Sequence, residues 1–575
     1  MNAMRKSSFF TRMALPAAVY LALAGCGGGS GGSGGSGAAA DSVFKSGKVV
    51  TVDGQSSIAQ AFAVRSGRFI AIGSNAEMDA YIGAGTKVVD LGGRTVVPGL
   101  SDAHMHNEGG GPGIDLSQVR TMAQLLAAVA EAAKKVKPGE VLLGNGDWHE
   151  AQLVEQRLPL ATELETAAPG IPVVVIRGGH DYILNTTALN KWGISKTTPV
   201  PPGGAITKDA NGELTGELVD SAKALVTLPP PPAVTIEDVL RTQKKLNAHG
   251  LVNVRVPGFY RAEMVSDYKL LKQMRDAKQL TLRYSVLLSG FDADLAGFQQ
   301  KVAAAGIKPL EGDAYLSIWG VKTGVDGGFE GAHMSKPYQE PYGKGGTFSG
   351  ITTVAPDKYN AFISGVHKMG FRIASHAVGD AAVDQVLDAY ERANSEASIV
   401  GKGWAIEHAF VSRPDQYPRI KKLDLALSVQ DHLYLVAPVL KNYWGADRAS
   451  QVTPVKAYVD QGFLLAGGTD SPVIPVNPFW AMYHFLTRDT ISAGVYGANQ
   501  GVPDRGQVLR MFTLNYAKLI GEEASKGSIE KGKLADFVVL SADYLTIPDK
   551  QVEGLKALAT YVEGKSVYQD PAVAF

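Results

Sequence analysis

The sequence predicts an α/β fold built on a parallel sheet, with a smaller β-rich unit drawn from both ends of the chain. Between about residues 98 and 523, apolar strand-like runs alternate with helical periods, the pattern of strand–helix units that wind a parallel sheet. Short β-rich runs broken by glycine fill residues 41–97, and the same texture returns over 524–575. With 575 residues, 45% of them hydrophobic, the chain can bury a sizeable core. A (β/α)8 barrel typically takes about 250 residues and grows by loop insertion, so an insert-rich barrel fits the central stretch. A doubly wound sheet is the alternative.

Residues 1–26 read as an export signal. Arg5, Lys6 and Arg12 precede an apolar run from Met13 to Ala24. That run is short of the roughly 20 residues a bilayer-spanning helix needs. Leu23-Ala24-Gly25-Cys26 closes it, and Cys26 is the only cysteine. The segment resembles a bacterial lipoprotein signal, which implies that Cys26 becomes the acylated first residue and holds the protein at the cell envelope. In a Gram-negative cell this places it on the periplasmic side of the outer membrane. A lone cysteine excludes an internal disulfide. Residues 27–40, GGGSGGSGGSGAAA, form a flexible tether with a reach of about 20 Å.

The runs KVVTV, AFAV, RFIAIG and KVVDLGG follow, and ADFVVLSADY and ATYVEGKSVY answer them near the C-terminus. Expected strands of the central stretch include Val173–Ile176, Leu282–Leu288, Leu316–Val321 and Leu464–Gly467. Expected helices include Ala123–Lys135, Ile236–Ala248, Lys358–Met369 and Ala381–Ala393. The run LPPPPA at Leu228–Ala233 reads as a stiff loop.

Catalytic groups in barrel enzymes come from the C-terminal ends of several strands. Polar residues directly after apolar runs are therefore the candidates. His104 and His106 follow VVPGL, Lys322 follows YLSIWGV, His376 follows FRIAS, His408 follows WAIE, and Asp470 follows FLLAGGT. His104 and His106 stand one residue apart, so on extended chain both imidazoles aim the same way. Any one of these alone reads as a hydrogen-bonded core histidine, a snorkelling lysine or a helix cap. As a set they match what a binuclear zinc-type site requires, since neutral imidazoles and carboxylates are good zinc ligands. A metal there lowers the pKa of bound water from 15.7 to about 7, and an adjacent Asp can carry the proton to a leaving group. An ammonium is no ligand. Carbamylation by CO2 would turn Lys322 into a carboxylate able to bridge two ions.

PGLSDAHMH, the lysine, the two later single histidines, GGTDSP and GSIEKGKLADFVVL together resemble the amidohydrolase superfamily. GGHDYILNTTAL, VKTGVDGG followed by PYQEPY, HAVGDAAVDQVL, IEHA and SVQ are most similar to the branch that includes N-substituted formamide deformylases. The resemblance spans about residues 45–570. It implies a metal-dependent (β/α)8 TIM-type barrel over residues 98–523 and a composite β-sandwich from 41–97 plus 524–575. It also implies that His104 and His106 bind a first divalent ion and His376 and His408 a second, with zinc the expected ion and a mononuclear site the alternative. Carbamylated Lys322 would bridge them, with Asp470 touching the first ion and shuttling the proton. His180 would polarise the substrate carbonyl and, with Gln430, line the substrate. Trp148, in WHEAQ, fits either the pocket lining or a packing role in a loop. Three places depart from the branch. Gly178 stands where an acidic residue is usual, Gln430 is followed by Asp431-His432 rather than proline, and LVNVRVPG replaces a Gly-x-Thr pattern.

The implied function is hydrolysis of a C–N bond in a small amide, N-formyl or cyclic amide compound by metal-bound hydroxide. Ester or lactone hydrolysis and ring deamination would use the same groups, and a surface-anchored binding protein that has lost catalysis is the non-enzymatic alternative. With 56 Lys+Arg against 56 Asp+Glu, no strong field draws nucleic acid or an anionic membrane. No GxxxxGK[ST] or credible GxGxxG supports a nucleotide site. The expected partner is a small-molecule substrate, with membrane contact through the lipid anchor alone and a homodimer allowed for. Arg255 and Arg488 fit either a substrate carboxylate or structural pairs.

Overall fold

The computed structural model describes residues 39–106, 113–230, 233–257 and 264–575. The signal, Cys26 and all but the last two residues of the tether lie outside them. Eight parallel strands form the central sheet: β1 (Leu100–Asp102), β2 (Leu251–Val256), β3 (Arg283–Ser289), β4 (Leu316–Gly324), β5 (Ile373–Ala377), β6 (Ala405–His408), β7 (Ala426–Gln430) and β8 (Leu465–Gly468). They pair in chain order, with helices between successive strands. The sheet closes where the Ala103 amide donates to the Gly467 carbonyl at 3.0 Å and the Asp470 amide to the His104 carbonyl at 2.7 Å. This is the expected (β/α)8 barrel.

Side-chain alternation decides what fills the bore. Ala374, Ala405, Ala426 and Ala466, near the N-terminal ends of β5 to β8, are small and face inward. Trp319, Leu287 and the helix Leu514–Ile520 fill the space they leave and plug that end. Neighbours such as Ile373, Ile406 and Leu465 point outward into the layer beneath the helices. In β4 the partner of Val286 is Ile318 while that of Leu287 is Gly320, so Trp319 is an extra residue. This bulge keeps Trp319 inside and still returns Lys322 to the bore. A side chain at Gly320 would meet the Arg372 carbonyl at 2.4 Å, which explains the glycine.

Both chain ends build the sandwich. One sheet holds Arg68–Gly73, Ala61–Arg65, Ser42–Lys45 and Lys87–Asp90. The other joins Thr95–Pro98 antiparallel to Phe537–Leu540, which pairs in turn with Ala557–Val562. Phe44 and Phe62 from the first sheet pack on Phe537 and Tyr561 from the second at 4.8–5.3 Å. Arg283 of β3 ties the sandwich to the barrel through a buried two-point pair with Asp536, at 2.8 and 3.0 Å.

One expected barrel strand belongs elsewhere. Val173–Arg177 is a strand, but it lies in a separate five-stranded mixed sheet inserted between β1 and β2. It runs parallel to Leu142–Gly144 and antiparallel to Asp181–Leu184. A short apolar run reads the same in either sheet, because periodicity cannot tell which neighbours cover it. No helix among the described residues is long and apolar enough to cross a membrane.

Candidate metal centre

At the C-terminal mouth of the barrel, His104, His408 and Asp470 bring ligand atoms within 4.8 Å of one another, all three buried. His104 Nε2 lies 3.1 Å from Asp470 Oδ1, and His106 Nε2 lies 3.4 Å from the same oxygen. The two histidines of HMH therefore do converge on one point. The His376 and His408 rings meet edge-on at 4.6 Å, and the His104 and His408 rings lie tilted to each other at 4.7 Å. His104 Nε2 and Asp470 Oδ1 are both buried and, close as they lie, neither makes a well-aligned hydrogen bond among the described residues. Orphaned buried polar atoms facing one another are what a cation would satisfy, and the imidazole and carboxylate donors suit zinc.

Three of the histidines have their other nitrogen occupied. His104 Nδ1 contacts Glu407 Oε2 at 2.5 Å, His408 Nδ1 contacts Gln430 Oε1 at 2.7 Å, and His376 Nε2 contacts the Gly327 carbonyl at 3.1 Å. Such partners fix ring orientation and leave one lone pair free for a ligand role. Burial, reinforced by the neighbouring cations, pushes the His376 and His408 pKa well down, which favours the neutral ligand form. At His104 burial acts the same way, but the Asp470 and Glu407 carboxylates outweigh it and raise its pKa.

His408 gets there by a distorted backbone. In β6, Ala405 and Glu407 face the bore and Ile406 faces the helices, so alternation would send His408 outward. Instead its φ is +72°, and the Ala409 amide donates to the Glu407 carbonyl at 2.9 Å, a strained γ-turn. Asp470 also has positive φ, +57°. Non-glycine residues rarely occupy this region, and such strain clusters at functional sites.

Lys322 is buried, with its Nζ 5.0 Å from the centre of the Phe291 ring. No described carboxylate comes within ion-pair distance of it. Burial lowers its pKa to about 8, with the Glu407 and Asp470 charges opposing the shift. The inserted sheet contributes His180, whose ring lies 5.7 Å from that of His376 and whose Nδ1 lies 2.6 Å from Asp220 Oδ1.

The amidohydrolase family profile matches residues 87–568. The chain belongs to the amidohydrolase family. It is 28% identical over 546 residues to the N-substituted formamide deformylase of Arthrobacter pascens, covering 92% of this chain and 98% of that one. It is 29% identical to Protein LONG AFTER FAR-RED 3 of Arabidopsis thaliana, over 92% of each chain. An uncharacterized metal-dependent hydrolase of Pyrococcus horikoshii superposes with a TM-score of 0.65 at 22% identity, covering 88% of this chain and 99% of that one. This amidohydrolase is thus a metal-dependent hydrolase acting on C–N bonds.

Its three departures from the branch pattern each have a structural reason. Arg255, in LVNVRV, is fully buried in the bore, where it donates to Glu407 at 2.5 Å and lies 4.6 Å from the Trp319 ring centre. His432 places Nε2 3.0 Å from Asp470 Oδ2. Gly178 adopts φ +55° in the turn that delivers His180. Two expected substrate contacts are placed otherwise. Gln430 is fully buried, orients His408 and donates to Ser428 Oγ at 3.1 Å. Trp148 is buried in the apolar core of the inserted sheet and donates to the Ile176 carbonyl at 2.8 Å. Arg488 donates to main-chain carbonyls including those of Val452 and Thr453, a structural role. Glu407 and Asp220 are not singled out by the sequence, and His432 stands out there only as a departure from the branch. Glu407 adjoins a candidate ligand, which by alternation should exclude it from the same site.

Proposed function

We propose that this amidohydrolase cleaves the C–N bond of a small amide or N-formyl compound. The observation that carries the reading is the buried convergence of His104, His408 and Asp470 at the barrel mouth, with two of their ligand atoms making no well-aligned hydrogen bond among the described residues. Similarity to a formamide deformylase along nearly its whole length supports the substrate class.

His104, His106 and Asp470 would hold a first divalent ion and His376 and His408 a second, with zinc the ion their chemistry suits. Lys322, an enclosed amine with no ion-pair partner among the described residues, would join the two sets of ligands as a carbamate. Bound there, the metal supplies Lewis acidity that makes hydroxide available from water near neutral pH. Asp470 takes the proton on a carboxylate oxygen and returns it to the leaving nitrogen, held in place by His432 at Oδ2. His180 is partly exposed beside His376. Burial acts to lower its pKa, but the Asp220 carboxylate outweighs burial and raises it, and as imidazolium His180 donates Nε2–H to the substrate carbonyl oxygen. Export and lipid anchoring through Cys26 belong to the same proposal, supported by the charged and apolar pattern that precedes it.

The test uses residues 41–575 purified without chelator and supplied with zinc and bicarbonate. The probes are 4-nitroformanilide, 4-nitroacetanilide and 4-nitrophenyl acetate. Release of nitroaniline, lost on chelation and in Asp470→Asn, is the expected result. Ester cleavage alone would reassign the chemistry. A protein that turns over none of them and gains nothing from zinc would be a binder.

A further inference from the structure

Asp220 closes the strand Leu214–Asp220 of the inserted sheet and meets His180 twice. Its amide donates to the His180 carbonyl at 2.8 Å, and its Oδ1 lies 2.6 Å from His180 Nδ1. Its backbone is unusual, at φ +46° and ψ −116°. These angles approach those of the first central residue of a type II′ turn, where glycine is the usual occupant. An aspartate held there has its place for the sake of its side chain.

The barrel is shaped around this pair. A side chain on Gly327 would come within 2.1 Å of Asp220 Oδ2, one on Gly331 within 2.6 Å, and one on Gly328 within 2.8 Å of the His180 ring. Three glycines of the loop after β4 thus form a saddle in which the carboxylate and imidazole sit. The same Gly327 accepts from His376 Nε2 through its carbonyl at 3.1 Å. The contact therefore runs from the inserted sheet through the saddle to the mouth of the barrel.

We propose that Asp220 is a positioning residue that clamps His180 by Nδ1 in the glycine saddle, so that Nε2 is presented to the substrate carbonyl. The inference rests on the role given to His180 above. It accounts for GGHD, for the aspartate that ends LTGELVD and for the glycines of VDGGFEG as one device.

Asp220→Asn and Asp220→Gly test it, the glycine variant because that backbone suits glycine and should preserve the fold. With 4-nitroformanilide, each should lower kcat by about 10–100-fold, with KM and bound zinc nearly unchanged. On a His180→Ala background the same changes should cost less than about twofold, since residues that act as one unit are not additive. Equal losses with and without His180, or no loss, would overturn the proposal. A second readout needs no turnover. Trypsin releases residues 178–191, in which His180 is the only histidine. Its ethoxyformylation by diethyl pyrocarbonate should quicken about threefold or more in Asp220→Gly, where no side chain covers Nδ1, and less in Asp220→Asn, whose amide oxygen can still accept from Nδ1. An unchanged rate would overturn the positioning role. A quickened rate with no probe hydrolysed would keep that role and reject the hydrolase reading instead.

Discussion

Glu407 lies between His104 and Arg255, with Oε2 2.5 Å from His104 Nδ1 and Oε1 2.5 Å from Arg255 Nη2. All three side chains are fully buried. Burial alone would raise the Glu407 pKa, but the Arg255 charge and the His104 contact outweigh it and hold the carboxyl well below its ordinary range. The carboxylate thus fixes the imidazole that faces Asp470 and neutralises an arginine in the middle of the barrel.

Glu407→Gln should therefore cost both function and stability. Loss of a partner behind a ligating histidine typically lowers metal affinity about 10–100-fold. Leaving Arg255 buried and unpaired should destabilise by about 3–5 kcal/mol. Zinc titration and the urea midpoint check the two effects separately.

The γ-turn at His408 makes a prediction with opposite signs for stability and binding. In metal-free protein, His408→Gly should be more stable than His408→Ala by about 1 kcal/mol, since glycine accepts φ +72° without a Cβ penalty. Both variants should lose zinc. Equal stability of the two would mean that the turn is unstrained.

Much of the site could be read from residue order, because barrel chemistry sits at strand ends and a polar residue after an apolar run is visible. His104, Lys322, His376 and Asp470 were found by that rule, and the structure brings them to the same mouth. The rule finds His408 too, though for an incomplete reason: only a backbone reversal turns it inward, and nothing in WAIEH announces one. Glu407 and Arg255 were not legible because their role depends on which strands face each other across the bore. Val173–Arg177 shows the same limit for the fold, since strand character is local and sheet membership is not.

Acid sensitivity should trace in part to His484. It is fully buried, its Nδ1 lies 2.8 Å from the Asp489 carbonyl, and burial, helped by the Arg488 charge, lowers its pKa to about 3. A base depressed in the folded state gives stability above its unfolded value near 6.5, lost as pH falls toward 3. His484→Gln should flatten the decline of the urea midpoint between pH 6.5 and 4. A parallel decline in parent and variant would remove His484 from the account.

The proposed anchor predicts that Cys26→Ser in the full chain abolishes incorporation of labelled palmitate and shifts the protein from the membrane to the soluble envelope fraction, since acyl chains on Cys26 would supply the hold on the bilayer. Unchanged membrane association would reject the lipid anchor.

The central claim is the metal centre, and metal content per chain tests it most directly. Residues 41–575, purified without chelators and reconstituted with zinc and bicarbonate, would be assayed by plasma mass spectrometry beside Lys322→Ala. The account predicts two divalent ions per parent chain, the arrangement of a bridged site, falling to one or none in the variant. A parent chain that holds no metal after reconstitution would contradict it.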